Sequence, residues 1–371
     1  MEIKIDREKF LKSISRVQSI TERKTNMPIL STVLLTAIGT DLVISGTDLE
    51  LQFQEMIPAD IIEEGSITIS GRKLFEILKE CKNEKFHIKE KENNWVFISD
   101  DTARFDLACL PADEFPSFVE PEEVITIDVE GRILSEMISK TSYAVTLEEA
   151  GFKLSGVFTE KAEIDGNVVL KMVATDGHRL SLIEKHIPDV ESINLENGVM
   201  IPKRGLSELN KLASEGGIVQ IGFKDKNCVI KKDKVIFVIR LLETKFPDYH
   251  AIIPEREKYA IQLKRSNLLE AMRRMLILSN ERYRAVKIAL EDDVLELVST
   301  NPDLGEAQEK IAVEYKGERL ELGFNPRYFV ETLQSMESEF VFLGFIDNSK
   351  PCTLKGENDK GFLGLIMPMR L

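Results

Sequence analysis

The sequence predicts an α+β protein built from three repeats of one pattern. In each third of the 371 residues, a short strand leads into an amphipathic helix, further strands follow, and a second strand leads into a second helix. A similar turn recurs between strands, as VISGTDLELQF at 43–53, MVATDGHRLSL at 172–182 and LVSTNPDL at 297–304. Long alternation of parallel strands with helices is not seen. We therefore predict three repeated α+β domains.

The first repeat, residues 1–122, opens with a strand that alternates apolar and polar residues, followed by a helix whose apolar residues fall at helical spacing. A polar linker at 111–121, which contains the pair Phe115 and Pro116, is predicted to end the repeat. The predicted strands are 2–5, 29–38, 42–53, 66–70, 85–89, 95–99 and 104–110, and the predicted helices are 7–19 and 72–82.

The pattern restarts twice, which predicts a second domain at 123–253 and a third at 254–371. The linker between them repeats the Phe-Pro pair at Phe246 and Pro247. The predicted helices are 131–142, 203–214, 264–276 and 326–337, and the predicted strands include 125–129, 199–202, 259–263, 320–324, 340–345, 352–355 and 362–367.

The charge is distributed unevenly between helices and the rest of the chain. A net charge of −14 weighs against a conventional nucleic-acid binder, whose affinity comes largely from cations that neutralise phosphates. The six predicted helices nevertheless carry 18 basic and 8 acidic residues. The basic residues placed on polar helix faces include Arg7, Lys9, Lys12, Arg16, Lys264, Arg265, Arg273 and Arg274. Each helix alone is compatible with an ordinary solvated face, but together they favour a basic surface that encloses a polyanion.

The remaining composition predicts a cytoplasmic protein without a cofactor. No apolar run approaches membrane-spanning length, and the N-terminus lacks the apolar core of a signal peptide. The cysteines are scattered without metal-binding spacing, which predicts reduced thiols. They are Cys81, Cys109, Cys228 and Cys352. Neither a metal motif nor a nucleotide-binding glycine loop is found in the sequence.

Asp176, His178 and Ser181 are the residue types of a hydroxyl nucleophile system. Their close spacing on one turn and strand argues against a linear chain of hydrogen bonds, and no nucleophile-elbow sequence surrounds the serine. Catalysis by Asp176 and His178 as a hydrolase is kept as an alternative hypothesis. An acidic scaffold without a role on DNA is a third.

The C-terminus is apolar and rich in methionine to its last residue, although chain ends are usually polar and frayed. Two interpretations remain open from composition. The segment either lines a groove that accepts varied partners or completes the core as a final strand.

These motifs together resemble one family. The sequences TDGHRL at 175–180, FPDY at 246–249, ILSNE at 277–281, GFN at 323–325 and MPMRL at 367–371 are similar to those of bacterial β sliding clamps, the processivity subunits of DNA polymerase III. The resemblance implies three domains of the DNA-clamp fold, each with two helices packed on antiparallel sheets. It also implies a ring formed by a head-to-tail homodimer that encircles double-stranded DNA without catalysis.

The resemblance further implies a cleft in which the replicative polymerase, the clamp loader and repair proteins bind through short peptide motifs. Its residues would be Leu154, Thr175, Gly177, His178, Arg179, Leu180, Pro247, Ile252, Asn325, Tyr328, Pro351, Ile366, Met367, Pro368, Met369, Arg370 and Leu371. The DNA-facing residues would be Lys24, Arg72, Lys73, Phe152, Lys153, Lys203 and Arg204. The dimer interface would contain Leu74, Leu78, Phe105, Leu107, Ile277 and Leu278. The loop at 146–151 is more acidic than is usual in the family, which puts DNA contacts from that loop in question.

Overall fold

The computed structural model describes residues 1–22, 26–146, 154–279 and 285–370, and its backbone forms two compact units. Unit 1 comprises Met1–Gly131, Ser192–Asn194 and Lys211–Leu241. Unit 2 comprises Arg132–Glu191, Leu195–Asn210 and Leu242–Leu371. No helix within the described residues is long and apolar enough to cross a membrane.

Six α-helices and 25 strands form within the described part of the chain, and the three repeats share one series of elements, with one additional strand, β5, in the first. The first repeat contains β1 (Glu2–Asp6), α1 (Arg7–Thr21), β2 (Thr32–Ile38), β3 (Asp41–Thr47), β4 (Leu51–Pro58), β5 (Asp60–Glu63), β6 (Gly65–Ser70), α2 (Gly71–Glu80), β7 (Lys85–Lys91), β8 (Trp95–Ser99) and β9 (Arg104–Ala108). The second contains β10 (Thr126–Glu130), α3 (Gly131–Ser139), β11 (Gly156–Ile164), β12 (Asn167–Thr175), β13 (Arg179–Lys185), β14 (Val199–Pro202), α4 (Lys203–Ser214), β15 (Ile218–Lys224), β16 (Asn227–Lys232) and β17 (Val235–Arg240). The third contains β18 (Tyr259–Lys264), α5 (Arg265–Leu278), β19 (Val286–Glu291), β20 (Val294–Asn301), β21 (Gly305–Ala312), β22 (Leu320–Phe324), α6 (Pro326–Ser335), β23 (Phe340–Phe345), β24 (Cys352–Gly356) and β25 (Phe362–Ile366).

The α+β class and all six predicted helices are confirmed. The uninterrupted strand bounds 42–53 are wrong, because the chain reverses between β3 and β4 at the Thr-Asp turn noted within this segment. The Asp48 carboxylate accepts the backbone N–H groups of Glu50 and Leu51 at 3.0 and 2.8 Å. This side chain stabilises a turn that contains neither proline nor glycine. The start of the strand predicted at 29–38 is instead a 3₁₀-helix, Pro28–Ser31.

Each helix follows a strand directly, and polar side chains cap several of the junctions. Asp6 accepts the N–H of Lys9 at 3.0 Å at the start of α1, and Asn325 accepts the N–H of Arg327 at 3.0 Å at the start of α6. Pro326 occupies the first turn of α6, where its missing N–H would have no helical partner. These caps satisfy donors that the helix itself leaves unpaired.

Two of the cations placed on polar helix faces by the sequence, Arg7 and Arg265, are half-buried and bind backbone carbonyls instead, which corrects that expectation. Arg7 donates from Nε to the Leu78 carbonyl at 2.9 Å, at the end of α2. Arg265 makes the equivalent bond from α5, donating to the Leu333 carbonyl at 3.0 Å. Lys140 is only 2% exposed. Arg7 and Arg265 therefore pair the two helices of their repeats by binding carbonyls that the second helix leaves free.

The sheets continue from one repeat into the next. In unit 1, β17 of the second repeat pairs with β4 of the first, and the resulting sheet has the order β10-β15-β16-β17-β4-β3-β2-β6. In unit 2, β25 of the third repeat pairs with β13 of the second, in the order β14-β11-β12-β13-β25-β24-β23-β18. We call these strand pairs the first joint and the second joint.

The two joints have the same antiparallel register. Gln52 and Leu180 are equivalent, since each lies opposite the threonine of its Thr-Asp turn. Gln52 pairs with Val238 across the first joint, and Leu180 pairs with Leu365 across the second. In each repeat, the cross-strand pairs can be traced from the first strand across the sheet to the strand at the joint. Traced in this way, Val238 and Leu365 also occupy equivalent positions. The repeats are therefore joined twice by the same interaction.

Each joint also contains a basic residue nine positions after the start of the repeat's first helix. At the first joint Arg16 binds Glu55 and, at 2.7 Å, Glu215. At the second joint Lys140 binds Asp359 at 2.6 Å. Burial opposes ionisation of Asp359, but hydrogen bonds from Lys140 and Ser338 outweigh it and lower the pKa of the carboxyl group. The paired charges thus remain ionised in a buried position.

Candidate functional site

The turn between β12 and β13 in unit 2 is held by its own side chains. Thr175 Oγ1 donates to the Arg179 carbonyl at 2.6 Å and accepts the N–H of Gly177 at 3.1 Å. Asp176 Oδ1 accepts the N–H groups of His178 and Arg179 at 3.0 and 3.1 Å. Gly177 has a φ of 86°, a conformation that glycine adopts without steric cost. The turn therefore presents the exposed His178 from a fixed backbone.

Arg179, the first residue of β13, lies between two tyrosine rings. Its guanidinium carbon is 4.7 Å from the ring centre of Tyr328 and 5.2 Å from that of Tyr143. The group also donates to Asp176 at 3.0 Å, to the Tyr143 carbonyl at 2.7 Å and to Glu331. Arginine suits this position because its planar, permanently charged group can stack and donate at once. Arg179 therefore fixes the orientation of Tyr328.

Charged neighbours extend this network. Burial opposes ionisation of Glu331, but hydrogen bonding with Arg327 and the charge of Arg179 outweigh it, so the pKa of Glu331 is lowered. Lys203 has a lowered pKa because it is partly buried and lies near the positive charge of Arg179. Arg179 and Lys203 therefore lie close enough for their charges to interact.

An apolar cluster forms the floor beside this turn. Leu154, Leu180 and Leu365 pack in one buried cluster with Phe246. The ring of Phe246 stacks on that of Phe158 at a centroid distance of 5.0 Å. Burial of these side chains stabilises the floor through the hydrophobic effect.

The C-terminal segment is tied down on both sides of the site. After β25, the Met367 N–H donates to the His178 carbonyl at 2.8 Å, and the Met369 N–H donates to the Gly323 carbonyl at 2.7 Å. β25 therefore completes a sheet, as one of the two interpretations predicted, and Met369 and Arg370 after it are exposed.

The predicted cleft residues divide by exposure. Those with exposed surface are Gly177, His178, Pro247, Ile252, Met369 and Arg370. The half-buried residues are Tyr328, Met367 and Pro368. The buried residues are Leu154, Thr175, Arg179, Leu180, Asn325, Pro351 and Ile366. Leu371 lies outside the described residues. Hydrogen bonds and ring contacts join Thr175, Gly177, His178, Arg179, Tyr328 and Met367 around the turn, and Pro351 directly precedes β24.

Several residues at the site were not found from the sequence. Tyr143 and Glu331 hold Arg179, and Phe246 belongs to the floor although only its neighbour Pro247 was named. The repeated Phe-Pro pair was a usable signal for Phe246. Nothing local in the sequence links Tyr143 or Glu331 to Arg179, because the contacts are long-range.

The groups proposed for hydrolysis have structural roles. Ser181 is fully buried, donates to the Lys140 carbonyl and accepts from the Tyr143 hydroxyl at 3.1 Å. Asp176 binds the turn backbone and Arg179. The His178 ring stacks near that of Tyr328, with centroids 6.4 Å apart. These contacts do not align the three groups for nucleophilic attack.

The residues predicted to face DNA lie at the starts of second helices. Arg72 and Lys73 are exposed on α2, and both pair with Glu76, at 2.9 and 2.8 Å. Lys203 and Arg204 begin α4 and are half-buried. Lys24, Phe152 and Lys153 lie outside the described residues, as does most of the acidic loop at 146–151.

The residues predicted for the dimer interface are only partly accessible. Phe105 and Leu107 are half-exposed on β9, an edge strand, and Ile277 near the end of α5 is 75% exposed. Leu278 is half-buried. Leu74 and Leu78 were wrongly placed in this interface, because both point into the core of unit 1 and have no exposed surface.

Comparison with known proteins identifies relatives over the whole chain. Models of the DNA polymerase III β subunit match the N-terminal domain at 1–119, the central domain at 128–248 and the C-terminal domain at 250–370. A β sliding clamp of Pseudomonas putida is 33% identical over 375 residues, with 100% of both chains covered. One from Haemophilus influenzae is 30% identical over 376 residues, also with 100% of both chains covered.

Solved structures agree with these sequence relatives. The crystal structure of a DnaN sliding clamp (DNA polymerase III subunit β) from Bartonella birtlesii, bound to griselimycin, has a TM-score of 0.94 at 31% identity and full coverage of both chains. The crystal structure of DNA polymerase III subunit β from Pseudomonas aeruginosa has a TM-score of 0.92 at 32% identity, again with full coverage.

Replacing Arg179 tests the network at the site. Arg179→Lys should lower the free energy of unfolding by about 2–4 kcal/mol, because an ammonium group cannot donate hydrogen bonds to Asp176, Glu331 and the Tyr143 carbonyl at once. Arg327→Lys is the matched control, since Arg327 also binds Glu331 but is exposed, and its expected loss is below about 1 kcal/mol. Urea denaturation followed by circular dichroism measures both, and equal losses would contradict this role of Arg179.

Proposed function

Because the chain belongs to the family of bacterial β sliding clamps, the β subunits of DNA polymerase III, we propose that it encircles duplex DNA and tethers the replicative polymerase through the cleft of unit 2. It is a processivity clamp and has no catalytic activity of its own. The observation that carries the proposal is the pair of equivalent joints, which leaves one further joint to be made by a second copy. We assign clamp domains to 1–122, 123–253 and 254–371, and cytoplasm as the compartment.

We propose that the ring closes by pairing β9 of one copy with β21 of the other. Both are edge strands, β9 in the sheet β5-β1-β7-β8-β9 and β21 in the sheet β21-β20-β19-β22. In the repeat pattern, β9 corresponds to β17 and β25, and β21 corresponds to β4 and β13, the strands that form the first and second joints. If the register is the same, Phe105 lies opposite Ala307 and Asp106 lies opposite Glu306. Such pairing satisfies backbone groups that an edge strand leaves open.

Charges near β9 fit this register. Two carboxylates directly opposite each other would repel, but Asp106 already binds Lys91 and lies 3.6 Å from Arg104. These cations offset the negative charge of Asp106 before Glu306 approaches. The joint can therefore form without an unpaired like-charge contact.

Helix contacts across the ring joint follow from the second joint. Counted from the starts of their helices, Ile277 is equivalent to Tyr143, whose hydroxyl oxygen is in hydrogen-bond contact with Thr332 Oγ1 at 3.2 Å. Thr332 is in turn equivalent to Ile77 on α2. We therefore replace Leu74 and Leu78 with Ile77 as the α2 residue that meets Ile277 of the second copy. An apolar side chain as exposed as Ile277 is consistent with burial in an interface.

For DNA, the proposal requires only weak contacts. Arg72, Lys73, Lys203 and Arg204 would face the duplex with solvated, salt-screened charges, while closure of the ring prevents escape. Lys24, Phe152 and Lys153 are assigned to the same surface by the family pattern. The acidic outer surface would not compete for DNA, because like charges repel.

For protein partners, the exposed rim of the cleft is proposed to bind extended peptides of the polymerase, the clamp loader and repair proteins. Alternate side chains of such a peptide point to one side, so apolar anchors can contact the Leu154 and Leu180 floor together. His178 and Met369 are exposed, and Tyr328 is half-buried. Arg370 adds a cation at the rim.

Topology on DNA tests the proposed function. After a clamp loader places the protein on circular DNA, it should remain bound through gel filtration at about 0.15 M salt and leave after one cut, because only ring closure holds it. Arg72→Glu with Lys73→Glu should slow loading but leave this dependence on circularity. Equal retention on circular and cut DNA would contradict an encircling ring.

Truncation tests the cleft. Met367→Ala, or removal of Arg370 and Leu371, should lower the affinity for a fluorescein-labelled polymerase peptide by about tenfold. This factor corresponds to the loss of one apolar anchor. Fluorescence anisotropy gives the affinity, and sedimentation should show an unchanged dimer. Met56→Ala, an exposed methionine of unit 1, is the control. Unchanged peptide affinity in the cleft variants would refute the assignment.

A further inference from the structure

Leu49 has an unusual conformation for an exposed apolar residue. It lies in the turn between β3 and β4 with a φ of 74°, and its side chain is 50% exposed. A bulky residue is strained in this region of backbone space. Its N–H donates to Thr47 Oγ1 at 3.0 Å, so the surrounding turn holds the strained conformation. Core packing does not explain a leucine at this position.

The turn is the repeat equivalent of the turn at the proposed cleft. Gly177 occupies the position of Leu49, and its N–H donates in the same way to Thr175 Oγ1, at 3.1 Å. In both turns the threonine hydroxyl donates to the carbonyl four residues later, that of Leu51 or Arg179. The two backbones are therefore built alike, but one carries a leucyl side chain where the other carries none.

The strand on the far side of each joint binds the turn in the same way. At the first joint the Arg240 N–H donates to the Glu50 carbonyl at 2.8 Å. At the second joint the Met367 N–H donates to the His178 carbonyl at 2.8 Å. Arg240 thus occupies the position of the cleft residue Met367.

The apolar floors are equivalent as well. In unit 1, Leu30 and Phe115 pack together, with Leu34 and Leu110 against them. The corresponding members of the unit 2 floor are Leu154, Phe246, Phe158 and Leu242. Both floors use the Phe-Pro pair that ends their repeat. The repeat therefore constructs the framework of the cleft a second time.

Exposed apolar side chains border the floor in unit 1. Val119 is 63% exposed, and its N–H donates to Gln52 Oε1 at 3.1 Å, which holds it beside the end of β4. Met27, whose carbonyl accepts the N–H of Leu30, is 47% exposed. Arg240 is exposed, and its guanidinium makes no hydrogen bond or ion pair with the residues that the structure describes. We call Leu30, Leu49, Phe115, Val119 and Arg240 the first-joint surface.

We propose that the first-joint surface is a second docking site, which binds an extended segment of a partner protein carrying apolar side chains and a carboxylate. Apolar side chains of the segment pack around Leu49, and the carboxylate pairs with Arg240. The inference rests on the proposed peptide function of the unit 2 cleft, whose framework is repeated here. The side chain of Leu49 protrudes where Gly177 leaves open space, so the two sites select different sequences.

The probe is a fluorescein-labelled hexapeptide in which serine and leucine alternate and the last residue is aspartate. Its leucines share one side of an extended chain. Fluorescence anisotropy measures binding to the chain lacking Arg370 and Leu371, which removes part of the unit 2 cleft. Within that background, Leu49→Asn should weaken binding by about tenfold, since asparagine tolerates the turn but lacks the apolar contact. Arg240→Gln should weaken the binding of this peptide but not the binding of a peptide that ends in serine amide.

Ile38→Asn is the matched control, because Ile38 is an exposed apolar residue of unit 1 in β2 and outside the first-joint surface. It should leave the affinity unchanged. Thermal unfolding provides an independent readout. Leu49→Asn should maintain or raise Tm, because the strain is relieved, and a fall of more than about 2 °C would show that Leu49 serves folding and would overturn the proposal.

The outcomes separate this inference from the proposed cleft. Binding to the intact chain that disappears in the truncated background would overturn the first-joint site and support the cleft. Binding that survives truncation and is lost in Leu49→Asn would support the first-joint site. An affinity that Leu49→Asn leaves unchanged would overturn it, as would the absence of saturable binding to the truncated chain.

Discussion

Backbone pairing between repeats is the interaction on which the rest of the structure depends. A sheet edge presents unpaired N–H and C=O groups and therefore invites another strand. Here β17 covers β4, and β25 covers β13, with one register used twice. Covalent connection alone would leave the joints loose, whereas continuous sheets fix both the orientation and the spacing of neighbouring repeats. The edge strands β9 and β21 leave the same kind of backbone groups unpaired, which is the basis of the proposed pairing with a second copy.

The arrangement of the repeats explains the roles of several charged residues. The acidic excess lies outside the helices, but the helical cations do not act as one uniform layer. Arg7 and Arg265 bind helix carbonyls, while Arg16 and Lys140 serve the joints. A smaller set, including Arg72 and Lys73, remains exposed for solvated contacts. Weak attraction is sufficient for a clamp, because closure rather than affinity retains it on DNA.

Local sequence patterns predicted the repeats, the six helices and the turn that organises the unit 2 site. They indicated the Thr-Asp turn within 43–53, but the predicted strand bounds still ran through it, although Asp48 stabilises a reversal between β3 and β4. The interface assignment of Leu74 and Leu78, which are buried, came from the family resemblance and not from a local pattern. The contacts of Tyr143 were missed, and the sequence offered no partner strand for β9, because long-range pairing leaves no local periodicity. The repeat itself supplies that information once two of the joints are known.

A disulfide cross-link at the ring joint tests the central claim, that a third joint with the same register closes the ring. Asp106→Cys and Glu306→Cys would be combined with Cys109→Ser. Residues opposite each other in antiparallel strands have Cα atoms about 4.5–5.5 Å apart, which permits a disulfide. The account predicts that mild oxidation yields covalent dimers through this pair, whereas Asp106→Cys with Lys310→Cys, displaced along the strand, remains monomeric in denaturing gels. Efficient cross-linking of the displaced pair, or none by the matched pair, would contradict it.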